Sequence, residues 1–297
     1  MDIKMGRNKW QNTAIHLILG LLSVCFVIPF LLVISVSLSN EKDIVTIGYA
    51  LIPRNFDLMA YKFLWNGPDA ILSAYKVTIL STVVGTTLSV FLMSLLAYPL
   101  SRNTFDARKP LAFYIFFTLI FNGGLVPTYI LITRYLRLGD TIWVFIIPGL
   151  VNAWHVFLLR TFFVKLPASI IEAAYIDGAS EFRIFFTMVL PLSKPVLATV
   201  ALLGALTRWN DWFTAMLYIN DEKLLTLQYL LQRILMNIQL LQQEGNQMQM
   251  MGITQANIPS ETVRMAMAIV AAGPMLIVFP FFQKYFVRGL TVGSVKG

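Results

Sequence analysis

A short run of polar and aromatic residues interrupts an apolar stretch near residue 210. It comprises Arg208, Trp209, Asn210, Asp211 and Trp212. On a helix, Arg208 and Asp211 lie three residues apart, so their charges can neutralise each other. Aromatic faces beside amides suit sugar rings, which stack through C–H groups and hydrogen-bond through hydroxyls. Trp209 and Asn210 are therefore candidates for sugar contacts, although an aromatic belt at a membrane surface explains the tryptophans nearly as well.

A second interruption lies at Asn122, Gly123 and Gly124, followed by Pro127. If a helix enters the membrane near Leu111, a rise of about 1.5 Å per residue brings Asn122 to mid-membrane depth. Irregular backbone at that depth must be covered by protein or line a wet cavity. We therefore expect a kink beside a substrate path, with a tightly packed helix bend as the alternative.

Residues for catalysis or metal binding are scarce. Cys25 is the single cysteine, and His16 and His155 are the two histidines. This set excludes an internal disulfide and offers no cysteine pair for zinc or an iron–sulfur cluster. The chain has no G-x-x-x-x-G-K-[ST] loop for a nucleotide and no convergent catalytic set in its apolar stretches. We expect no metal site or cofactor of its own, and an intramembrane enzyme is disfavoured.

The segment from residue 166 to 183 is predicted to contain a short helix that needs further contacts to be stable. Ser169 followed by Glu172 has the spacing of a capping box, and Gly178 can adopt the left-handed conformation that ends a helix. Ala173 and Ala174 have small side chains, so a partner could approach closely. A two-turn helix is too short to be stable alone. It is therefore either a docking element or an amphipathic connector at the membrane surface.

A second short helix is predicted from 180 to 190, with an apolar stripe at helical spacing. The stripe comprises Phe182, Phe185, Phe186 and Val189. Pro191 should end this helix and Pro195 should open the next one, because a proline ring does not fit a helix interior.

The composition indicates that these segments belong to a membrane protein. Of 297 residues, 57% are apolar and 13% charged, and the mean hydropathy is +0.71, whereas a soluble domain is about one quarter charged. Six stretches are long enough to cross a bilayer of about 30 Å. They are 13–38, 77–100, 111–133, 141–163, 195–219 and 265–285. In the second stretch Ser81, Gly85 and Ser89 recur every fourth residue, a pattern that lets membrane helices pack closely.

The charges predict the orientation. The N-terminus, the loops after the second and fourth stretches and the C-terminal tail, with the span ends beside them, hold 13 Lys and Arg against 5 Asp and Glu. The remaining residues hold 10 of each. Positive loops stay in the cytoplasm, so both termini are predicted to be cytoplasmic. This bias explains the net charge of +8 without a nucleic-acid partner.

Two external segments are longer than a connection requires, residues 39–76 and 220–264. The first contains Pro53, Asn66, Gly67 and Pro68, which are typical of turns. The second is rich in Gln and Met and has a helix-like stretch from 224 to 241. The second segment is either a docking surface for an external partner or a solvated hairpin.

The segment after residue 166 resembles the EAA loop of membrane subunits of ATP-binding-cassette importers. That pattern is EAA, three residues, Gly, nine residues, Ile, one residue and Leu-Pro. Here it reads Glu172-Ala173-Ala174, Gly178 and Leu190-Pro191, with Met188 at the Ile position. The extended form, with Asp177-Gly178-Ala179, and the tail 289–297 are similar to carbohydrate permeases of the maltose-permease kind. Together with 122–124 and 208–212, they most resemble the polysaccharide-permease subgroup.

The resemblance implies an all-α, polytopic chain with the type I ABC-importer permease fold in one domain, 1–297. Residues 1–76 would form the first helix and external loop, 77–288 the core, 168–190 the coupling helices and 289–297 a cytoplasmic tail. Glu172, Ala173, Ala174, Asp177 and Gly178 would couple the chain to an ATPase. The tail residues that would contact the ATPase are Gly289, Leu290, Gly293 and Lys296. Residues 122–124 and 209–212 would line the substrate path.

The implied partners are a second, similar permease, two ATP-binding subunits that carry ATP and Mg, an extracytoplasmic solute-binding protein, membrane lipid and an oligosaccharide. The implied location is the bacterial cytoplasmic (inner) membrane. A stand-alone channel remains as an alternative, but it has no use for an ATPase dock.

Overall fold

The computed structural model describes residues 9–65, 68–250 and 260–291. These residues form helices and one isolated β-bridge, between Ser39 and Phe56, which confirms the predicted all-α class. The helices are α1 Lys9–Ser37, α2 Glu41–Ile47, α3 Met59–Leu64, α4 Pro68–Ser101, α5 Arg108–Ile120, α6 Leu125–Ile130, α7 Ala153–Val164, α8 Ala168–Ile176, α9 Glu181–Ile184, α10 Leu190–Leu192, α11 Lys194–Trp209, α12 Phe213–Tyr218, α13 Leu227–Met250 and α14 Glu261–Thr291.

Within the described ranges, three helical segments are long and apolar enough to cross a membrane: Asn12–Ser37, Asp69–Ser101 and Glu261–Gln283. Two further crossings are possible if each of two bent pairs counts as one. Arg108–Ile120 and Leu125–Tyr135 meet at 112°, and Glu181–Leu192 and Lys194–Trp209 meet at 78°. The structure therefore has three to five candidate spans, and the six continuous spans predicted from hydropathy are not all present as helices.

The fourth predicted span, 141–163, is not a continuous helix. A 3-10 turn covers Ile142–Phe145, an irregular segment follows, and α7 has only 12 residues. At about 1.5 Å per residue it is roughly 18 Å long, too short for a bilayer. Asn152 starts α7 by accepting a hydrogen bond from the His155 amide at 3.1 Å, as an N-cap does.

The fifth predicted span, 195–219, is also divided. The helix α11 ends at Trp209, and α12 begins at Phe213. The Asp211 carboxylate accepts a hydrogen bond from the Thr214 amide at 3.0 Å, so it occupies the free N–H groups at the start of a new helix. Hydropathy detected the apolar composition of this stretch but not the local capping that divides it.

The chain forms two compact units. Unit 2 comprises residues 69–232 and 274–297. Its larger core joins α4, α7 and α11 around Leu100, Leu159 and Val200, whose side chains are fully buried. A smaller cluster around Val144, Ala215 and Leu225 joins the 3-10 turn Ile142–Phe145 to α12 and the segment that follows it. These two cores position the polar elements described below.

Unit 1 comprises residues 1–68 and 233–273. Its two predicted external segments meet at Glu41, the first residue of α2. The Glu41 carboxylate accepts five hydrogen bonds from the backbone and hydroxyl groups at the start of α14. The loop that contains Asn66 and Gly67 lies outside the described residues, and Pro68 is the first residue of α4.

Candidate functional site

The EAA residues lie on α8, which begins differently from the sequence prediction. The helix starts at Ala168 after Pro167, with no side-chain cap, so the predicted capping box of Ser169 and Glu172 is wrong. Ser169 is the second helical residue, where its backbone is helical and cannot adopt the extended conformation of an N-cap.

The end of α8 agrees with the prediction. Gly178 has a φ of +75°, the Ala179 amide donates to the Ala174 carbonyl at 2.9 Å, and the Gly178 amide donates to the Tyr175 carbonyl at 3.0 Å. This pair of bonds is a Schellman motif, which needs a left-handed residue that glycine adopts without strain. The turn fixes the direction in which the chain leaves α8.

The two sides of α8 differ in exposure. Ile171 and Ala174 are buried in the larger core of unit 2, whereas Glu172 and Ala173 are exposed, as are Asp177 and Gly178. Ala174 is only 2% exposed, so it anchors the helix to its own chain and does not offer a surface for close approach. The prediction that a partner approaches closely at Ala174 is therefore wrong. Positions 171 and 174 share one face of the helix, and this face packs on the core.

Ile176 extends the exposed side of α8 with a large apolar group that is 87% exposed. It lies four residues after Glu172, so the carboxylate and the apolar side chain share one face. The hydroxyl of Tyr175 donates to the Glu181 carboxylate. Burial, then this hydrogen bond, raise the pKa of Tyr175, so its hydroxyl stays protonated.

The predicted apolar stripe after Gly178 is partly wrong. Phe185 and Val189 are buried, but Phe182 is 72% exposed and Phe186 is also exposed. A π-helical turn at Phe185–Val189 rotates the residues that follow, and Pro191 lies inside the short helix α10 instead of ending the stretch. Proline has no backbone N–H for a helical hydrogen bond, and the π turn before it changes the hydrogen-bond pattern of the helix at this point. Pro195 lies in the first turn of α11, as predicted.

A cavity of about 930 Å³ lies within unit 2. Its polar lining comes from four parts of the chain. The lining polar residues are Ser89, Asn122, Thr128, Asn152, His155, Thr207, Arg208, Asp211 and Thr214. Hydroxyl and amide groups of this kind can donate to and accept from a polyhydroxylated ligand.

Arg208 is the most constrained of these side chains. Its guanidinium donates to the carbonyls of Phe145 and Gly149, both at 2.7 Å, and these carbonyls belong to the part of the predicted fourth span that is not α-helical. A Cβ placed on Gly85 would lie 3.0 Å from the guanidinium. Arg208 therefore satisfies backbone groups that a membrane interior would leave unpaired, and its charge also interacts favourably with that of Asp211, as expected from their spacing.

The break at residues 122–124 is present as predicted. The Asn122 side chain accepts a hydrogen bond from the Gly124 amide at 2.9 Å, and Gly124 has a φ of +89°. Asn122 and Gly124 line the cavity, whereas Gly123 is exposed without lining it. The helix break therefore contributes to the cavity wall.

Of the run 208–212, Arg208 and Asp211 line the cavity, whereas Trp209, Asn210 and Trp212 do not. Trp209 is 4% exposed and its ring lies 6.5 Å from that of Tyr75. The Asn210 amide donates to the Leu206 carbonyl at 2.8 Å, and the Trp212 ring contacts Phe213 edge-on. These contacts direct the three side chains to their own neighbours, and none of them lines the cavity. Sequence reasoning missed Asn152 and Thr207, although the N-cap spacing of Asn152 and His155 was a usable signal.

No group of three or more His, Cys, Asp or Glu among the residues that the structure describes could hold a metal ion. Gly289 and Leu290 belong to the last turn of α14. Gly293 and Lys296 lie outside the described residues.

Comparison with known proteins decides the family. Residues 110–292 match the model of the binding-protein-dependent transport system inner membrane component. The chain belongs to this family. It is 39% identical, over 98% of its length and all of the relative, to the polygalacturonan/rhamnogalacturonan transport system permease protein YtcP of Bacillus subtilis (strain 168). It is 38% identical to the protein LplC of the same strain over 95% of this chain and 93% of that one.

The solved structure of a bacterial ABC transporter involved in the import of the acidic polysaccharide alginate contains a similar chain. The TM-score is 0.79 at 29% identity, over 96% of this permease component and 100% of that chain. This inner membrane component therefore has the ABC permease fold, and its relatives are membrane permeases of sugar and polysaccharide transport. The family resemblance expected from the EAA segment is confirmed.

Proposed function

We propose that the chain is one of two permease subunits of an ATP-driven importer that takes up an oligosaccharide or a polysaccharide fragment. It would form half of the translocation path in the bacterial cytoplasmic membrane, with a second, similar permease beside it. Two cytoplasmic ATPase subunits would bind ATP and Mg, and an extracytoplasmic binding protein would deliver the substrate.

The observation that carries the coupling role is the exposed side of α8. Glu172 and Ala173 are exposed, while Ile171 and Ala174 hold the helix on the core. A partner can therefore contact one side of α8, and force on that side reaches the core through the other. An exposed carboxylate beside exposed Ile176 suits a basic group with an apolar surround, because desolvation strengthens such a pair.

The cavity supports a path for a polar substrate. Its lining combines the helix break at Asn122 and Gly124 with hydroxyl and amide groups, and its volume of about 930 Å³ is in the range of small-molecule sites. We assign the substrate contacts to Asn122, Asn152 and Asp211 in place of Trp209, Asn210 and Trp212.

The proposed topology has six crossings with both termini in the cytoplasm. The divided helices around 141–163 and 195–219 would then complete the fourth and fifth crossings, since a broken helix is tolerated at membrane depth where protein covers it. The tail from Gly289 to Lys296 would reach the ATPase interface, and the exposed residues Glu172, Ala173, Asp177 and Gly178 would form the dock.

Co-purification tests the assembly. The tagged chain, expressed in its native host, should retain an ATPase and a second permease in detergent. A chain that purifies alone and conducts solute alone would support a channel, and one that modifies substrate alone would support an intramembrane enzyme.

Charge reversal at the dock tests coupling. Glu172→Lys should leave membrane insertion normal but reduce uptake by about tenfold or more, because truncation or reversal of one partner of a desolvated charge pair is costly. ATP hydrolysis and uptake are measured on the reconstituted complex.

The matched control is Asp106→Lys, the same reversal at an exposed position between α4 and α5. The control should transport normally. Normal uptake by Glu172→Lys would show that Glu172 does not couple the chain to the ATPase.

A further inference from the structure

One carboxylate connects three helices around the end of α8. Glu181, the first residue of α9, accepts a hydrogen bond from the Tyr98 hydroxyl at one oxygen and from the Tyr175 hydroxyl at the other. Tyr98 lies near the C-terminal end of α4 and Tyr175 lies in α8. All three helices belong to unit 2.

A fourth side chain fixes the α4 side of this arrangement. The Arg102 guanidinium donates to the Tyr98 hydroxyl at 3.2 Å and lies 4.8 Å from the centre of the Tyr98 ring. Its charge offsets that of Glu181 and holds the ring from one side through a cation–π contact. Phe185 packs on the ring as well, with centroids 5.3 Å apart. Arg102 and Phe185 therefore restrict the Tyr98 side chain, and its hydrogen bond to Glu181 connects it with α8.

The remaining contacts of α8 with its own chain are of a different kind. Ile171 and Ala174 are held in an apolar core, and apolar packing is non-directional. Hydrogen bonds to an ionised acceptor are short and directional. The Tyr175–Glu181–Tyr98 bridge is thus the contact that fixes the direction in which α8 can pull on α4.

We propose that Glu181 is a positioning residue that transmits displacement of α8 to the membrane helix α4 through Tyr175 and Tyr98. This role rests on the proposed coupling function of α8. Glu181 itself touches neither nucleotide nor substrate. Its function is to keep two helices moving as one body when an ATPase displaces the exposed side of α8.

The test uses hydroxyl deletions in the complete transporter reconstituted in liposomes. The variants are Tyr175→Phe, Tyr98→Phe and the double variant, each of which keeps the aromatic ring. Tyr114→Phe is the matched control, because Tyr114 lies on α5 with an exposed side chain. ATP hydrolysis, substrate uptake, yield of the assembled complex and its thermal stability are measured for each.

Each single variant should lower the substrate imported per ATP hydrolysed by about tenfold or more, the range expected for loss of a hydrogen bond to a charged group. The double variant should be no worse than the poorer single one, since either deletion breaks the same bridge. Complex yield should stay unchanged. A merely structural role would lower yield or stability and leave the ratio of uptake to hydrolysis constant, which would overturn the proposal.

Two further results count against it. If Tyr114→Phe lowers the ratio as much as Tyr175→Phe, the effect is not specific to the bridge. If the effects of the two single variants add in the double variant, the hydroxyls act separately. Failure of the function itself gives a different result, because the wild-type chain would then co-purify without an ATPase.

Discussion

At the scale of single residues, a carboxylate distant in sequence completes a helix start. The Glu41 oxygens accept from the amides of Ser260, Glu261 and Thr262 at 2.9–3.0 Å and from the Thr262 hydroxyl at 2.6 Å. Free amides at a helix N-terminus favour a negative charge. These hydrogen bonds therefore join the segment around α2 to the start of α14, a contact that no local sequence pattern predicts.

The same contact predicts a pH dependence. Burial alone would raise the pKa of Glu41, but the hydrogen bonds from Thr262, Glu261 and Ser260 outweigh it and lower the pKa. A lowered pKa means that the stabilisation is complete above the unfolded value of about 4.3 and is lost as the pH falls through the native pKa. Glu41→Gln should reduce the free energy of unfolding by about 1–3 kcal/mol at neutral pH.

Thermal unfolding of the purified chain in detergent, followed from pH 7 downwards, measures this effect. The difference between the wild type and Glu41→Gln should shrink in the acid range, while Asp106→Asn, at an exposed position, should track the wild type throughout. A difference that stays constant down to the most acid condition would show that ionised Glu41 does not stabilise α14.

At the scale of elements, an arginine allows a predicted span to depart from a continuous helix. Arg208 on α11 bonds the Phe145 and Gly149 carbonyls, and Ser89 on α4 donates to the Leu150 carbonyl at 2.6 Å. These donors replace the hydrogen bonds that a continuous helix would make internally. The absence of a side chain at Gly85 leaves the space that the guanidinium occupies, so the small-residue pattern of α4 accommodates an arginine.

Filling that space should disturb the segment. Gly85→Val would place atoms against the guanidinium, where a Cβ alone already comes to 3.0 Å, and overpacking of this kind costs about 1–3 kcal/mol. We expect a lower midpoint of thermal unfolding and reduced uptake. Gly20→Val on α1 is the control, because a Cβ at Gly20 meets nothing within 4 Å. Equal behaviour of the two variants would show that Arg208 is not confined at Gly85.

At the scale of the whole molecule, apolar surface is distributed unevenly among the long helices. None of the apolar window of Asn12–Ser37 is buried within the chain, against 39% for Asp69–Ser101. Exposed apolar surface of this extent needs lipid or a partner. We infer that α1 faces lipid or the second permease, whereas α4 is an internal helix of unit 2.

The proposed topology predicts which side of the membrane each loop faces. In a Cys25→Ser background, Arg54→Cys should react with an impermeant maleimide added to intact cells, because the loop after α2 is predicted to be external. Asp106→Cys should react only after the membrane is opened. Both positions are exposed. Labelling with the reverse sidedness would contradict cytoplasmic termini.

The sequence alone determined the properties that depend on composition and local spacing. These are the all-α class, the turn at Gly178, the helix break at 122–124 and the family carried by the EAA pattern. The turn and the break each depend on residues within one or two turns of one another, because the local backbone energetics of glycine and proline are independent of the remaining chain.

Only the tertiary structure decided how those elements are divided and joined. Hydropathy treated 141–163 and 195–219 as uniform spans, because an average over apolar residues carries no information about the carbonyls that Arg208 satisfies. Residue type and resemblance also predicted a partner contact for Ala174 and a sugar contact for Trp209, although both side chains are buried. The contacts of Glu41 with Ser260 and of Glu181 with Tyr98 join residues 219 and 83 positions apart. Such pairs exist only after the core has brought the chain together.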